Sequence, residues 1–269
     1  MKRDDTTIAL AFLLIVLLGW TLFTKKSLSY SNDSVIPSGL ASDSTLQVVV
    51  DSSYAGIIVY YPPTDSIDLR CIEMPIPTVD TTIVFCCAAA FTGQGDKGHS
   101  NIAGDHVASG VRYQGYRCIR NTGAFIYYNG HWEFLYKEYS HMLDSAAAHS
   151  GTGFAQEMMI HEGVQVETTR RLEDINLFRA LCQVDGRLCV VDSRDPISFG
   201  SFIQLLLEAG ATEALYTDMG EGWNYSWYRD KPRCNATYIH SSYNVDATNW
   251  LVFFQGSVPI CVSRTDSAI

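Results

Sequence analysis

The chain has 269 residues, of which 47% are hydrophobic, and its formal charge at pH 7 is −10. This length and apolar content suit one large domain with a full core. Phosphate neutralisation needs clustered cations, and the chain has no Lys/Arg block, so these features argue against a nucleic-acid-binding surface. They leave room for an anionic small molecule held by one or two arginines.

Residues 1–30 have the pattern of a membrane-targeting segment. Two basic residues precede the apolar run Ile8–Phe23 and two lysines follow it. The run is marginal for a bilayer span but long for a signal-peptide core, and no small-x-small cleavage site follows. We therefore expect an uncleaved membrane anchor that leaves the main domain exported, periplasmic or extracellular; cleavage would make the protein secreted. Residues 31–45 predict a flexible tether, and 46–269 one domain.

Cysteines are frequent and even in number, which permits disulfides in an oxidising compartment. Cys86 and Cys87 are adjacent in an apolar strand, so they face opposite sides and cannot easily share a metal. Cys182 and Cys189 either meet across a hairpin or are small buried apolar residues. The eight cysteines are at positions 71, 86, 87, 118, 182, 189, 234 and 261.

Two hairpins are predicted from their turn dipeptides. Asn129-Gly130 and Asp185-Gly186 supply the positive φ angles that tight hairpin turns need. We therefore predict hairpins over 124–136 and 178–192.

Helices are predicted over 138–148 and 198–209. The second is amphipathic, ends at Gly210 as a C-terminal cap, and should cross between two sheet strands. The predicted fold class is α+β, with mixed β-sheets, hairpins and a helix crossover, preceded by the N-terminal transmembrane or signal segment.

A long polar loop, 93–117, is rich in glycine and is punctuated by apolar and aromatic residues, which favours an ordered functional loop. Its Asn101, Asp105 and His106 are predicted to bind substrate. A metal site would take His99, Asp105 and His106, since imidazole and carboxylate suit zinc, manganese or iron, but their spacing matches no helical ligand pair. We therefore predict no metal and no other cofactor.

Charged and polar residues also occur inside apolar strands. The segment 153–166 predicts a strand, a His-Glu-Gly turn and another strand. Because alternate side chains face opposite sides, one of Gln156 and Glu157 should point toward the core or a cleft. Arg179 also lies in an apolar strand, so it either pairs with a carboxylate or binds a phosphate.

The most informative segment, 210–227, carries Asp218 out of a short buried strand into a glycine-rich turn. In open sheets with helix crossovers, ligands bind in the crevice outside the strand ends, and Gly220 and Gly222 would let a ligand approach the backbone. The alternative is that Asp218 only caps a surface loop.

Taken in order, these segments resemble the phosphodiester glycosidase family from about Val84 to Tyr228. That family has a strand ending in Asn-Gly-Gly-Phe-Phe, a glycine-rich loop, a Gly-x-x-Leu-x-x-x-Gly strand and turn, an Arg-Thr-Ala strand and hairpin, a helix, and Asp-Gly-Gly-Gly-Ser. The corresponding segments here are Ala89–Thr92, Gly93–Gly115, Gly153–Gly163, Phe178–Leu188, the Ser198 helix and Asp218–Gly222. The ordered set carries the resemblance.

The chain departs from the family pattern at both ends of this order, as a divergent branch would. Ala89 or Ala90 stands where the family has Asn. Met219, Glu221 and Trp223 replace Gly, Gly and Ser in the last motif.

The resemblance implies a hydrolase that cleaves the glycosidic C–O bond next to phosphate in a sugar-1-phosphodiester. Such cleavage needs a cation for the phosphate and a carboxylate to activate water or stabilise an oxocarbenium-like centre. We assign the phosphate to Arg179, the base or nucleophile to Asp218, and the second carboxylate to Glu157 or Glu221. The predicted substrate-binding residues are Asn101, Asp105, His106, Gln156, Gly220, Gly222 and Trp223.

Two other functions fit the sequence. A catalytically inactive glycan- or cell-wall-binding module on a membrane tether would keep the scaffold and the aromatic cleft. A cysteine hydrolase would use Cys86 or Cys87 with His106 or His161. The expected partners are a sugar phosphodiester or glycan, and a membrane through residues 1–30.

Overall fold

The computed structural model describes residues 47–93 and 97–255, and in these residues β-strands rather than helices dominate. That part of the chain contains two α-helices, α1 (Ser140–Ala148) and α2 (Phe199–Glu208), and one turn of 3-10 helix at His99–Asn101. The strands are, in chain order, β1 (Val49–Asp51), β2 (Ile57–Tyr61), β3 (Ser66–Cys71), β4 (Ile83–Ala88), β5 (His106–Ala108), β6 (Val111–Tyr113), β7 (Gly123–Tyr128), β8 (His131–Tyr136), β9 (Thr152–Gln156), β10 (Met158–His161), β11 (Val164–Gln165), β12 (Ile175–Asn176), β13 (Arg179–Val184), β14 (Arg187–Ser193), β15 (Ile197–Ser198), β16 (Ala211–Thr217), β17 (Ser226–Tyr228), β18 (Thr237–His240) and β19 (Asn249–Phe254). The α+β class is confirmed as a fold that is mostly sheet.

The predicted anchor at 1–30 and tether at 31–45 lie outside the described residues and stay predictions. Cys261 lies outside them as well. Within residues 47–93 and 97–255, no helix is long and apolar enough to cross a membrane.

Three sheets and one two-stranded ribbon contain these strands. The first sheet has the order β1-β2-β14-β13-β16-β10-β11, the second β18-β17-β4-β19-β3 and the third β6-β5-β9-β7-β8, while β12 pairs with β15. Neighbouring strands throughout the described chain run antiparallel. A parallel pairing occurs at the isolated bridge between Ala103 and Tyr116.

The predicted helix crossover is present in the first sheet. Strand β13 lies between β14 and β16 and is antiparallel to both, so β14 and β16 run parallel to each other. Helix α2 connects them and packs on the sheet. The crossover carries the chain to the end of β16, where Asp218 follows Thr217.

Both predicted hairpins are confirmed. Strands β7 and β8 join through Asn129 and Gly130, whose φ angles are 52° and 76°. Strands β13 and β14 join through Asp185 and Gly186, at 49° and 72°. Left-handed backbone at both central residues is what a two-residue hairpin turn of this type requires.

Helix α2 forms where its cap and its apolar face predict it. The Ser198 hydroxyl accepts a hydrogen bond from the Ser201 backbone N–H at 3.1 Å, which caps the N-terminus. Gly210 has a φ of 83° just after the helix, the left-handed conformation that ends many helices. Four side chains face the sheet and are buried, and each contributes about 1.5–3 kcal/mol: Phe199, Phe202, Ile203 and Leu206.

The predicted single strand before the His-Glu-Gly turn is instead two strands in two different sheets. β9 ends at Gln156 in the third sheet, and β10 begins at Met158 in the first. Glu157 is the link between them. Because the chain changes sheet here, strict alternation fails, and both Gln156 and Glu157 are buried rather than one of the two.

Four cysteines are fully buried and pack as small apolar residues: Cys86, Cys87, Cys182 and Cys189. Cys182 and Cys189 are directly opposite in the β13–β14 ladder, as one alternative predicted, but both are buried free thiols. Cys86 and Cys87 have no exposed surface in β4, and burial raises the pKa of each thiol. A buried thiol with a raised pKa is a poor nucleophile, so the cysteine-hydrolase hypothesis with Cys86 or Cys87 is wrong.

We expect Phe202→Ala to lower the free energy of unfolding by about 3–5 kcal/mol, since it removes a fully buried ring that stacks on Phe178. Gln204→Ala, on the exposed face of the same helix, should change it by no more than about 0.5 kcal/mol. Urea unfolding of the three proteins measures both. Equal effects would contradict the packing of α2 on the first sheet.

Candidate functional site

The candidate site lies where β16 of the first sheet and β4 of the second sheet end together. The Asp218 backbone N–H donates to the Ala89 carbonyl at 2.9 Å, which joins the residues that follow the two strands. The Asp218 carboxylate turns back and accepts a hydrogen bond from the Gly220 N–H at 3.1 Å. Asp218 thus lies at a junction of two sheets and in the mouth of a glycine turn.

A cavity of about 590 Å³ opens beside this carboxylate. Three kinds of side chain form its wall: one acid, three arginines, and a set of aromatic and small residues. The lining residues are Phe91, Thr92, Tyr116, Arg117, Cys118, Ile119, Arg120, Arg170, Asp218 and Trp223. The arrangement concentrates positive charge in a protein whose formal charge is −10.

Asp218 is only 8% exposed. Burial raises its pKa from 3.8 to about 7, because the charged form loses hydration. Backbone N–H groups of Gly220, Thr92 and Met219, together with the charge of Arg179, favour the ionised form and oppose that increase. A carboxyl group with a pKa near neutrality exchanges a proton readily at pH 7, which suits acid or base catalysis.

Arg170 forms the inner wall of the cavity, and its side chain is 11% exposed. It pairs with the buried Glu157, with Nη2 3.1 Å from Oε2, and Glu157 also accepts a hydrogen bond from the Thr168 hydroxyl. The guanidinium lies over the Tyr216 ring at 4.7 Å and the Phe199 ring at 5.1 Å. These contacts hold one arginine rigidly at the cavity.

Arg117, the last residue of the polar loop, and Arg120 form the outer wall. Among the ion pairs of the described residues, none involves either side chain. Two unpaired guanidiniums beside a carboxylate form a site for an anionic ligand.

The sequence left two alternatives for Arg179, a phosphate or a carboxylate partner. In the structure it pairs with a carboxylate. It is fully buried, and its Nε and Nη2 donate to the two oxygens of Asp192 at 2.6 and 2.7 Å. Nη2 also donates to the Ser226 hydroxyl at 2.9 Å, and Nη1 to the Asn224 carbonyl at 3.4 Å. With its three nitrogens occupied and no surface in the cavity, Arg179 is not available to a phosphate. The sequence assignment to phosphate is corrected.

The polar loop does not bring its predicted substrate residues to the cavity. Asn101 ends the 3-10 helix, and its carbonyl accepts the Gly93 N–H at 2.7 Å. Asp105 pairs with Arg112 at 2.5 Å. His106 is buried at the start of β5, and burial lowers its pKa to about 4. None of these three lines the cavity; of the described loop residues, Tyr116 and Arg117 do.

The other predicted residues divide between the cavity and its surroundings. Trp223 lines the cavity, and its backbone N–H bonds to Gly220 at 2.8 Å. Gly222 has a φ of 78°, which shapes the same turn. Glu221 is exposed on that turn, outside the cavity wall. Gln156 is fully buried, and its Oε1 accepts the Glu157 N–H at 2.9 Å.

Sequence reasoning missed the three cavity arginines. Arg117 and Arg120 occur three residues apart at the end of the polar loop, and Arg170 is the first residue of an Arg-Arg pair. These local clusters of cations were the available signal. A single charge inside an apolar strand, such as Arg179, is instead the pattern of a structural ion pair.

No family model matches the chain, and no curated protein does. The catalytic domain of zebrafish N-acetylglucosamine-1-phosphodiester alpha-N-acetylglucosaminidase, auto-inhibited by its pro-peptide, is similar at 10% identity and a TM-score of 0.49 over 78% of this chain and 82% of that one. A hypothetical protein from Synechocystis is similar at 12% identity and a TM-score of 0.45 over 77% and 61%. At these scores neither similarity carries a functional argument, and the family resemblance stays a prediction.

We expect Asp192→Ala to lower the free energy of unfolding by about 3–5 kcal/mol, because it leaves the buried Arg179 charge without its partner. Asp195→Ala, an exposed carboxylate three residues later, should shift it by no more than about 0.5 kcal/mol. Chemical denaturation of both variants gives the comparison. A small effect of Asp192→Ala would leave Arg179 free for another role.

The raised pKa of Asp218 also predicts a pH dependence of stability. Its pKa is about 7 in the folded protein and 3.8 in the unfolded chain. Between these two pH values the folded state therefore binds more protons than the unfolded state. Stability from this group is fully present below pH 3.8 and is lost as pH rises to about 7. Asp218→Asn mimics the neutral acid, so its melting temperature should exceed that of the wild type by a margin that grows over this window and is constant above it. A margin independent of pH would contradict the shift.

Proposed function

We propose that the chain is a hydrolase that cleaves a sugar-1-phosphodiester at the cavity beside Asp218. One observation carries this proposal: a buried carboxyl group with a pKa of about 7 shares a cavity with three guanidinium groups. The carboxyl group supplies the proton transfer and the guanidiniums suit a phosphate. The predicted export and membrane anchoring concern residues 1–30 and remain part of the proposal.

Arg117 and Arg120 take the role that the sequence assigned to Arg179. Both line the cavity, whereas Arg179 is held by Asp192. A planar guanidinium donates two parallel hydrogen bonds to phosphate oxygens, and two such groups exceed the single negative charge of a phosphodiester. The excess charge favours the phosphomonoester dianion that forms as the bond to the sugar breaks.

Aromatic rings provide the surface for the sugar. Tyr116 and Trp223 both line the cavity. Aromatic faces present an apolar area that packs on the C–H face of a pyranose, and Trp and Tyr add a polar tip. A cavity of about 590 Å³ accommodates one sugar and its phosphate, in the range typical of small-molecule sites.

In the reaction, water attacks the anomeric carbon and the bond from that carbon to the phosphate oxygen breaks. Asp218 as base accepts one proton from the water; as nucleophile it attacks the carbon itself and a second step adds the water. Either route yields a reducing sugar, a phosphomonoester and one proton. Because phosphate is already a fair leaving group, no strong general acid is needed.

Glu157 contributes to this site through Arg170 rather than as a second reacting carboxylate. Its oxygens accept hydrogen bonds from Arg170 and Thr168. It therefore fixes the position of the inner guanidinium. Glu221 is exposed outside the cavity wall, so it is left out of the reaction.

The second candidate function is a catalytically inactive glycan-binding module. A specific observation favours it: Asp218 is the one carboxylate that lines the cavity within the described residues. Most glycosidases use a pair of carboxylates. A binding module would saturate with a saccharide and release no product.

The test incubates a soluble protein that begins near Ser31 with a panel of sugar-1-phosphodiesters and measures released reducing sugar and phosphomonoester. We expect Asp218→Asn to lower kcat by about 10²–10⁴-fold, the usual contribution of a general base.

We expect Arg120→Gln to lower kcat/KM about tenfold or more, because a charged hydrogen bond to phosphate is lost. In the wild type, kcat/KM should rise with pH up to about 7, where Asp218 becomes ionised.

Asp195→Asn and Arg171→Gln are the matched controls, since both side chains are exposed and outside the cavity. They should keep wild-type rates. Release of sugar by Asp218→Asn at the wild-type rate would remove Asp218 from the reaction. Saccharide binding by calorimetry without release on any substrate would establish the binding module instead.

A further inference from the structure

Three potential metal ligands converge outside the cavity. They are Cys71 at the end of β3, His99 in the 3-10 helix and His106 at the start of β5. One ligand atom from each, a sulfur and two imidazole nitrogens, lies within 4.8 Å of the others. His99 and His106 belong to one polar loop, and the fold brings Cys71 of β3 to them.

The His106 ring is held in the orientation of a metal ligand. Its Nδ1 is 3.2 Å from the Gly104 carbonyl oxygen, which can only accept, so Nδ1 carries the proton. Nε2 therefore presents its lone pair, and it faces His99 Nδ1 at 2.8 Å. A backbone carbonyl that fixes the imidazole tautomer is a common feature of metal-bound histidines. His106 has no exposed surface, so the lone pair is directed into the protein.

The His99 ring is also fixed. It stacks on Tyr113 with the ring centroids 3.4 Å apart and the planes at 2°, and it lies 5.1 Å from the His106 ring. Stacking restricts rotation of the ring, so Nδ1 stays directed at the cluster. Two imidazoles with facing nitrogens share one proton in the absence of an ion; a cation between them would accept both lone pairs.

The donor set selects a particular class of ion. Thiolate sulfur and imidazole nitrogen suit borderline ions such as Zn²⁺, not Ca²⁺ or Mg²⁺. Zn²⁺ lies about 2.3 Å from sulfur and about 2.0–2.1 Å from nitrogen. Three donor atoms within 4.8 Å of one another are therefore close to the spacing that one ion requires. Asp105, which a metal site predicted from the sequence would have used, is paired with Arg112 instead. Cys71 takes the third position.

We propose that Cys71, His99 and His106 bind one Zn²⁺-type ion, with water as the fourth ligand. Binding releases the thiol proton of Cys71 to solvent and involves no change of oxidation state. The ion joins β3 of the second sheet, β5 of the third sheet and the start of the polar loop. This site is separate from the hydrolase proposal and does not depend on it.

The metal would also organise one wall of the cavity. The loop between His99 and His106 bonds to Tyr116, a cavity residue: the Tyr116 N–H donates to Ile102 at 3.0 Å, and the Tyr116 carbonyl accepts from Gly104 at 2.8 Å. An ion that fixes both ends of this loop fixes the position of that ring.

The test titrates the full chain, stripped with a chelator, with Co²⁺ and Zn²⁺. We expect one Co²⁺ per chain, with d–d absorption of a four-coordinate site and a thiolate-to-cobalt charge-transfer band, and displacement by Zn²⁺ but not by Ca²⁺ or Mg²⁺. Cys71→Ser should abolish the charge-transfer band. His106→Gln should weaken binding by about 100-fold or more, beyond the about 10–100-fold typical of outer-shell changes.

Cys234→Ser and His141→Gln are the controls, since both side chains are exposed and outside the cluster. They should bind Co²⁺ like the wild type, and circular dichroism checks that every variant is folded. A wild-type protein without a stoichiometric charge-transfer band would overturn the proposal whatever the variants do. So would a band that survives Cys71→Ser or disappears in Cys234→Ser.

Discussion

The buried ion pair between Arg179 and Asp192 is the interaction on which the rest of the structure depends. It joins β13 to β14 in the first sheet, and the same guanidinium reaches Ser226 in β17 of the second sheet. Two charges taken out of water are costly, and they persist only where the geometry is good and further hydrogen bonds are made. Here they hold two sheets together close to Asp218, since Arg179 pairs in the β13–β16 ladder with Thr217, the residue before it.

That scaffold gives Asp218 its chemistry by restricting hydration. The carboxyl group lies at a sheet junction with backbone N–H groups close by and cations across the cavity, yet burial dominates and its pKa rises to about 7. The Glu157 carboxylate differs from that of Asp218 because Arg170 and Thr168 donate hydrogen bonds to it directly. Two buried acids of the same region thus differ in role through their neighbours: one is available to a ligand and the other positions an arginine.

Sequence patterns predicted the elements that local chemistry determines. The Asn129-Gly130 and Asp185-Gly186 turns specify their hairpins, and the cap and apolar face of α2 specify that helix. These patterns did not predict which acidic residue forms an ion pair with which arginine. Arg179 had two acceptable partners, and the choice of Asp192 depends on strand pairing between residues that no local pattern relates. The change of sheet at Glu157 is equally non-local, since no glycine, proline or other turn residue marks it between Phe154 and His161.

The proposed chemistry requires an Asp218 carboxyl group that titrates near neutrality in a cavity of arginines. A carbon-detected NMR titration of that side-chain carboxyl, assigned by its absence in Asp218→Asn, measures this directly. We expect a midpoint near pH 7 that moves when a sugar-1-phosphonate is added. A midpoint near the ordinary value of 3.8, unchanged by the ligand, would contradict both the burial of the group and its place in the site.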